Sequence, residues 1–405
     1  MKRAPLALGL ILSVFTLGLV PSSTAAVKAG SACTKVGAKS VSGGKSYSCI
    51  KSGKKLVWDK GVVVAKPSVA KPTPAPSASA TAAPKPSSTP KPTPTVADIT
   101  FENLLQNNAS VSYTAWKRTS DIVSSSTAKT RSLTVFTGPG TKPFFEDITY
   151  AMNQVSKMYP GKAEPTEVLW IRYKYSDLSW AENMAKEKLS AADYNQIARN
   201  QGGNLATSNC DTKSANCRGA YQQTGPSGIA LVMQGVENSG PAEPLRMTTG
   251  MLEAHEYFHA LQRIPIMNKG VEVWPHAWWR EGGAEWAQNM AINAKDYEGY
   301  KTFLRGDCAW SCAKLSESEL AEFLSTANDN FVPAKFDQFL NYSFGSHVIE
   351  ILVAIKGSDV LIDMYAEMGK GTSFNDAFQG LFGIAWKDAI PVLAKSVYMT
   401  LQSKN

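Results

Sequence analysis

The order of local signals along the chain predicts an α+β protein, because strand-like runs come first and everything beyond about residue 250 reads as mainly helical. Leu133–Phe136 and Val168–Tyr173 are short runs rich in β-branched and aromatic residues, and an amphipathic helix is expected between them near Phe145–Met158. Ile229–Met233 reads as another strand, and Pro244–Thr249 leads into a helix. The expectation is one globular unit over 98–405, with a mixed-sheet lobe followed by a mainly α-helical lobe.

Three segments precede that unit. Lys2 and Arg3, an apolar run from Ala4 to Val20, and the small residues Thr24-Ala25-Ala26 make 1–26 a cleaved secretory signal. No later stretch offers the roughly 20 apolar residues that a membrane helix needs, so a soluble, secreted mature protein is expected. Cys33 lies well past the apolar run and lacks the preceding leucine of a lipid-attachment site. Residues 27–65 form a small basic module with strand-like pieces at Ser46–Ile50 and Lys55–Trp58. So short a unit buries little core, and a bridge between its two cysteines would stabilise it. It resembles the short Lys-rich, two-cysteine modules at the front of exported actinobacterial proteins. That resemblance raises a possible anionic cell-envelope polymer as partner of 27–65, beside the plainer reading of a solvated spacer. Residues 66–97 hold nine prolines among Lys, Ala, Ser and Thr and read as an extended linker.

The formal charge of +8 is unevenly spread. Residues 1–97 carry 14 Lys+Arg against the single acid Asp59, a net +13, which leaves 28 basic and 33 acidic residues, a net −5, for 98–405. Nucleic-acid binding by the large unit is thereby excluded, since its charge is mildly acidic and no basic run interleaves with aromatics. The six cysteines fall into local pairs, Cys33 with Cys49, Cys210 with Cys217, and Cys308 with Cys312, as expected of disulfides in an oxidising compartment. The rival for Cys308-Ala-Trp-Ser-Cys312, a pair of thiolate metal ligands, requires a reducing one.

The chemistry concentrates at Ala254-His255-Glu256-Tyr257-Phe258-His259-Ala260-Leu261, an H-E-x-x-H pattern in an apolar segment without Gly or Pro. On a helix the two histidines project from one face about 6 Å apart, a spacing that suits two nitrogens on one zinc ion. Glu256 stands beside that face, placed to take a proton from a metal-bound water. Chance would give such a pattern in roughly one chain of this composition in several hundred. A metzincin continuation is rejected, because Gln262 and Pro265 stand where its Gly and His belong.

Downstream comes Trp278-Trp279-Arg280-Glu281-Gly282-Gly283-Ala284-Glu285-Trp286, with Glu281 22 residues after His259. Here the sequence resembles the gluzincins, the thermolysin- and aminopeptidase-like zinc peptidases, whose third ligand sits in a W-x-x-E-G-x-A-type helix. The resemblance implies a zincin-like catalytic domain, Glu281 as third ligand, and Glu285 as an acid accepting a hydrogen bond from a ligating histidine. Glycines at 282 and 283 weaken a helix, which suggests close packing against the first helix. Asn341-Tyr342-Ser343-Phe344-Gly345 looks like the Y-x-x-G helix start of the aminopeptidase-like members, implying that Tyr342 stabilises the tetrahedral intermediate. His276 and His347 read as packed or surface residues. Gln234-Gly235-Val236-Glu237-Asn238 resembles the G-x-M-E-N element of zinc aminopeptidases at three positions only and reads as coincidence.

The expected function is that of a zinc peptidase, a hydrolase that holds an extended peptide or protein substrate beside the strand near 229–233. The alternative is a zincin-fold binding or adhesion protein at the cell envelope that has lost turnover.

Overall fold

The structure, a computed structural model, describes residues 28–36, 39–42, 45–63, 95–129, 131–267, 269, 274–327 and 332–403. The expected signal sequence 1–26 and residues 66–94 of the expected linker lie outside the described residues. The chain divides into two compact units, within 1–89 and 90–405, so the division falls inside the proline-rich stretch.

In the first unit, β1 (Lys39–Ser42), β2 (Lys45–Ser52), β3 (Lys55–Trp58) and β4 (Val62–Val63) form one antiparallel sheet in which β2 pairs with each of the others. Little side-chain surface is removed from water here. Cys49 is buried, Tyr47 nearly so, and the Cys33–Cys49 disulfide ties the segment before β1 to the central strand.

The second unit begins with α1 (Val111–Ser125), then β5 (Ser132–Thr137), α2 (Ile148–Met158) and β6 (Glu167–Tyr173). Two helices, α3 (Leu178–Lys188) and α4 (Ala191–Asn200), lead to the short hairpin β7 (Cys210–Asp211) and β8 (Asn216–Cys217), which the Cys210–Cys217 disulfide closes. Then come β9 (Gly219–Thr224) and β10 (Ala230–Gly235). The sheet order is β5-β6-β10-β9, with β5, β6 and β10 parallel and β9 antiparallel to β10. The two inner strands bury both faces, as their near-continuous apolar sequences require. Val168, Trp170, Ala230 and Val232 enter the main core, whereas Leu169, Ile171, Tyr173, Leu231 and Met233 enter a second core under α3 and α4.

That arrangement corrects the expected peptide-binding strand. Residues 230–233 of that segment lie in β10, whose two edges are taken by β6 and β9, so the sheet's edge strands are β5 and β9, and of these β9 lies beside the residues of α6.

The helical part follows: α5 (Pro244–Thr248), α6 (Met251–Arg263), α7 (Ala277–Ile292), α8 (Tyr297–Cys308), α9 (Glu317–Thr326), α10 (Ser343–Lys356), α11 (Val360–Met368), α12 (Phe374–Phe382) and α13 (Trp386–Gln402). Among the described residues no helix is long and apolar enough to cross a membrane. Helix α6 is fixed to the sheet by a buried polar chain: Trp170 Nε1 donates to Gln234 Oε1 (2.8 Å), and Gln234 Nε2 donates to Glu253 Oε1 (2.9 Å). Gln234 is thus a structural tether rather than part of a substrate-binding element. Glu237 likewise pairs with Arg218 and accepts from the Ala242 amide.

The glycines of α7 serve two different neighbours. A Cβ on Gly283 would stand 3.3 Å from Phe258 and 3.2 Å from Gln262, both on α6, as the close-packing expectation requires. Gly282 instead faces α10, where a Cβ would come within 2.4 Å of the Gly345 backbone, and a Cβ on Gly345 within 2.6 Å of the Trp278 carbonyl. The two helices touch backbone to backbone at this pair. The glycine three residues after Tyr342 therefore serves to bring the start of α10 onto α7.

Candidate metal centre

Helix α6 is buried around almost its whole circumference, with aromatic and aliphatic residues on the core side and His255, Glu256 and His259 toward a cavity of about 950 Å³. Glu281, in the second turn of α7, joins them. The Nε2 atoms of His255 and His259 are 3.1 Å apart, and Glu281 Oε2 lies 3.7 and 3.3 Å from them. These three side chains form a group able to hold a metal ion.

The surroundings show why a cation suits this point. Gln262 Nε2 donates to the Arg280 carbonyl (3.0 Å), which fixes the amide so that Oε1 faces His259 Nδ1 at 2.7 Å. His259 then carries its proton on Nδ1 and presents a bare Nε2 lone pair to the cluster. On the other side, His255 Nδ1 faces Glu285 Oε2 at 3.7 Å, too long for the hydrogen bond that the resemblance implied, and neither atom has another hydrogen-bond partner. Arg280 Nε holds Glu281 Oε1 at 2.9 Å, leaving Oε2 toward the histidines. Lone pairs from two imidazoles and a carboxylate thus converge in a place where burial would leave them mutually repulsive without a positive charge between them.

Glu256 is almost fully buried beside this group, and its Oε2 has no hydrogen-bond partner. Burial pushes its carboxyl up to about 7, with Glu281 and Glu253 adding to the effect against His259. For Glu281 burial works in the same direction, but the His259 and His255 imidazoles and Arg280 outweigh it and hold the carboxyl well below its usual range. Burial lowers His255 to about 4, against the pull of the Glu281 carboxylate. In His259 burial is overcome by Glu281, and the pKa is raised.

Tyr342, just before α10, stacks on His255 with centroids 6.0 Å apart and planes at 16°. Burial raises its phenol, and Glu281 and Glu256 raise it further, so the hydroxyl stays protonated and able to donate. Every residue proposed from the sequence for this site therefore lies in one place. Comparison with known protein families, with curated proteins and with solved structures finds no significant match to this chain.

His276 and His347 lie elsewhere. His276 caps α7 and stacks on Phe374 at 4.1 Å, while His347 is buried in α10, and burial lowers its pKa to about 4.

Three features were missed in the sequence. Gln262 bridges α6 and α7; its only signal was its position one turn after His259. Arg246 of α5 donates to Glu285 Oε1 at 2.5 Å and also approaches Glu243 (3.2 Å) and Asp307 (3.7 Å). Gln288 Nε2 reaches the same Glu285 oxygen at 2.5 Å. Finally, β9 lines the cavity along Gly219–Gln223, opposite the expectation that placed the peptide beside β10. The cysteines at 308 and 312 are joined as a disulfide, so the thiolate-ligand reading of that pair falls.

Proposed function

We propose that this chain is a secreted zinc-dependent peptidase of the gluzincin type, with His255, His259 and Glu281 holding the metal and Glu256 acting as general base and acid. The observation that carries the reading is the convergence of two Nε2 atoms and one carboxylate oxygen, 3.1 to 3.7 Å apart, beside a buried carboxyl whose free oxygen has no partner. Donors about 2.0–2.1 Å from one tetrahedral centre stand about 3.3–3.4 Å from each other, which matches those separations. Calcium and magnesium favour all-oxygen sets, whereas two imidazoles and a carboxylate with an open fourth position suit catalytic zinc.

Zinc, when bound, would supply a Lewis acid and a water acidified to a pKa near 7. The chain's own groups account for the rest. Glu256 accepts the proton of the attacking water at its unpaired Oε2 and delivers it to the leaving amine. The protonated Tyr342 hydroxyl donates to the oxygen that gains negative charge as the carbonyl is attacked. The free edge of β9 offers backbone groups to an extended peptide, which fixes the scissile bond's direction across the cavity. Arg280 keeps Glu281 turned toward the histidines.

Three variants separate these roles. Glu256→Gln is expected to retain metal and fold but lose turnover by several orders of magnitude, while Glu281→Ala loses metal affinity itself. Tyr342→Phe should lower kcat by roughly 10²–10³ with KM and metal content nearly unchanged. Metal binding by Glu281→Ala equal to that of the parent, or full turnover by Glu256→Gln, would show the roles misassigned.

A further inference from the structure

Most large aromatic side chains in the second unit are buried or partly covered, as the hydrophobic effect requires. Among the described residues, the exposed Trp and Phe side chains are Trp310, 51% exposed, and Phe339, 45% exposed. They touch each other. Their ring centroids are 5.3 Å apart at 69°, and Phe339 lies 6.0 Å from Tyr342 and lines the cavity of the metal centre. Two exposed apolar rings have gathered at the rim of the site rather than at scattered surface points.

The loop that presents Trp310 is held in place. Cys308 and Cys312 are both buried and joined, and the Cys312 and Ala313 amides both donate to the Cys308 carbonyl. Between the cysteines, Ser311 Oγ is 2.7 Å from Ser343 Oγ, at the first turn of α10 and next to Tyr342. The Cys-Ala-Trp-Ser-Cys segment thus fixes an exposed indole against Phe339, the ring that stands between it and Tyr342. A pre-positioned ring loses little freedom when something packs on it.

We infer that Trp310 and Phe339 form a substrate side-chain subsite that takes a bulky apolar or aromatic residue of an extended peptide. The inference rests on the peptidase reading and adds to it a substrate preference. The indole packed edge to face on Phe339 extends that ring's apolar surface outward from the cavity wall, a contact area suited to a bulky apolar side chain. The free edge of β9 lines the same cavity and offers backbone pairing that a peptide can use and a glycan cannot.

The test compares paired synthetic peptides that differ only by Phe or Ala at each position flanking the cleaved bond, with the zinc-loaded full chain and its Trp310→Ala and Phe339→Ala variants. At one flanking position the parent should prefer Phe, and each variant should lower kcat/KM for the Phe peptide by about 10- to 100-fold, mainly through KM. The Ala peptide should change by less than about threefold. Equal losses on both peptides, or a parent that favours small or charged residues at every position, overturn the subsite. If the parent cleaves nothing, the peptidase reading fails separately, and Phe-peptide binding measured by fluorescence anisotropy decides the subsite. Binding weakened by Trp310→Ala keeps it; binding indifferent to Trp310, Trp310-dependent binding of soluble cell-wall glycan fragments instead, or a dimer that Trp310→Ala dissociates in sedimentation overturns it.

Discussion

The two histidines of the site are supported from behind in opposite ways. His255 is backed by charge: Glu285 faces its Nδ1, Arg246 and Gln288 hold Glu285, and Asp307 and Glu243 crowd the same guanidinium. His259 is backed by one neutral amide, Gln262, which spans from Nδ1 to the carbonyl of Arg280. Burial raises the carboxyls of both Glu285 and Asp307 against the pull of Arg246, so the charged side stands on a single cation shared by several acids. The amide side needs no counter-charge and fixes the tautomer by geometry alone. The charged support stabilises only while complete, whereas the amide support is independent of charge balance and joins α6 and α7 directly.

The largest expected effect follows from breaking the charged side. Arg246→Met strands Glu285 and Asp307 without their cation, and urea unfolding of the metal-free protein should show a loss on the order of 3 kcal/mol. A loss below about 1 kcal/mol would mean that the acids are satisfied without Arg246. On the amide side, Gln262→Met keeps the volume but removes both hydrogen bonds. Metal affinity, measured by competition with a chelating dye, should fall about 10- to 100-fold, while the metal-free protein loses only about 1 kcal/mol. Unchanged affinity would show that His259 is oriented by packing alone.

Much of this site could be read in the sequence because its parts are local. The H-E-x-x-H spacing needs only a helix to bring its members together, and the apolar run around it guarantees burial. The short apolar runs at 133–136, 168–173 and 229–233 were equally plain and fall on β5, β6 and β10 to within two residues at each end. Glu281, Glu285 and Tyr342 could be named only through a resemblance, since nothing local says which helix meets α6. Strand β9 escaped because Gly219-Ala-Tyr-Gln-Gln-Thr224 has no apolar alternation; a strand half covered on one side and open to a cavity on its edge does not need it. Gln262 and Arg246 escaped for another reason. Their roles depend on a carbonyl of α7 and an acid four residues after Glu281, contacts that no periodicity encodes. The Gly282–Gly345 contact belongs to the same class: the sequence showed that α7 had to approach something closely, and only the fold shows that one of its glycines meets α10.

On the reading proposed here, three side chains from α6 and α7 hold a zinc ion that the chain needs for peptide hydrolysis. The most direct measurement is elemental analysis of the purified full chain together with peptide-library digestion before chelation, after chelation and after zinc is restored. About one zinc per chain is expected, with cleavage that disappears with the chelator and recovers on adding zinc back. A protein that binds no zinc after refolding in excess metal, or that cleaves peptides equally well with the metal removed, would contradict it.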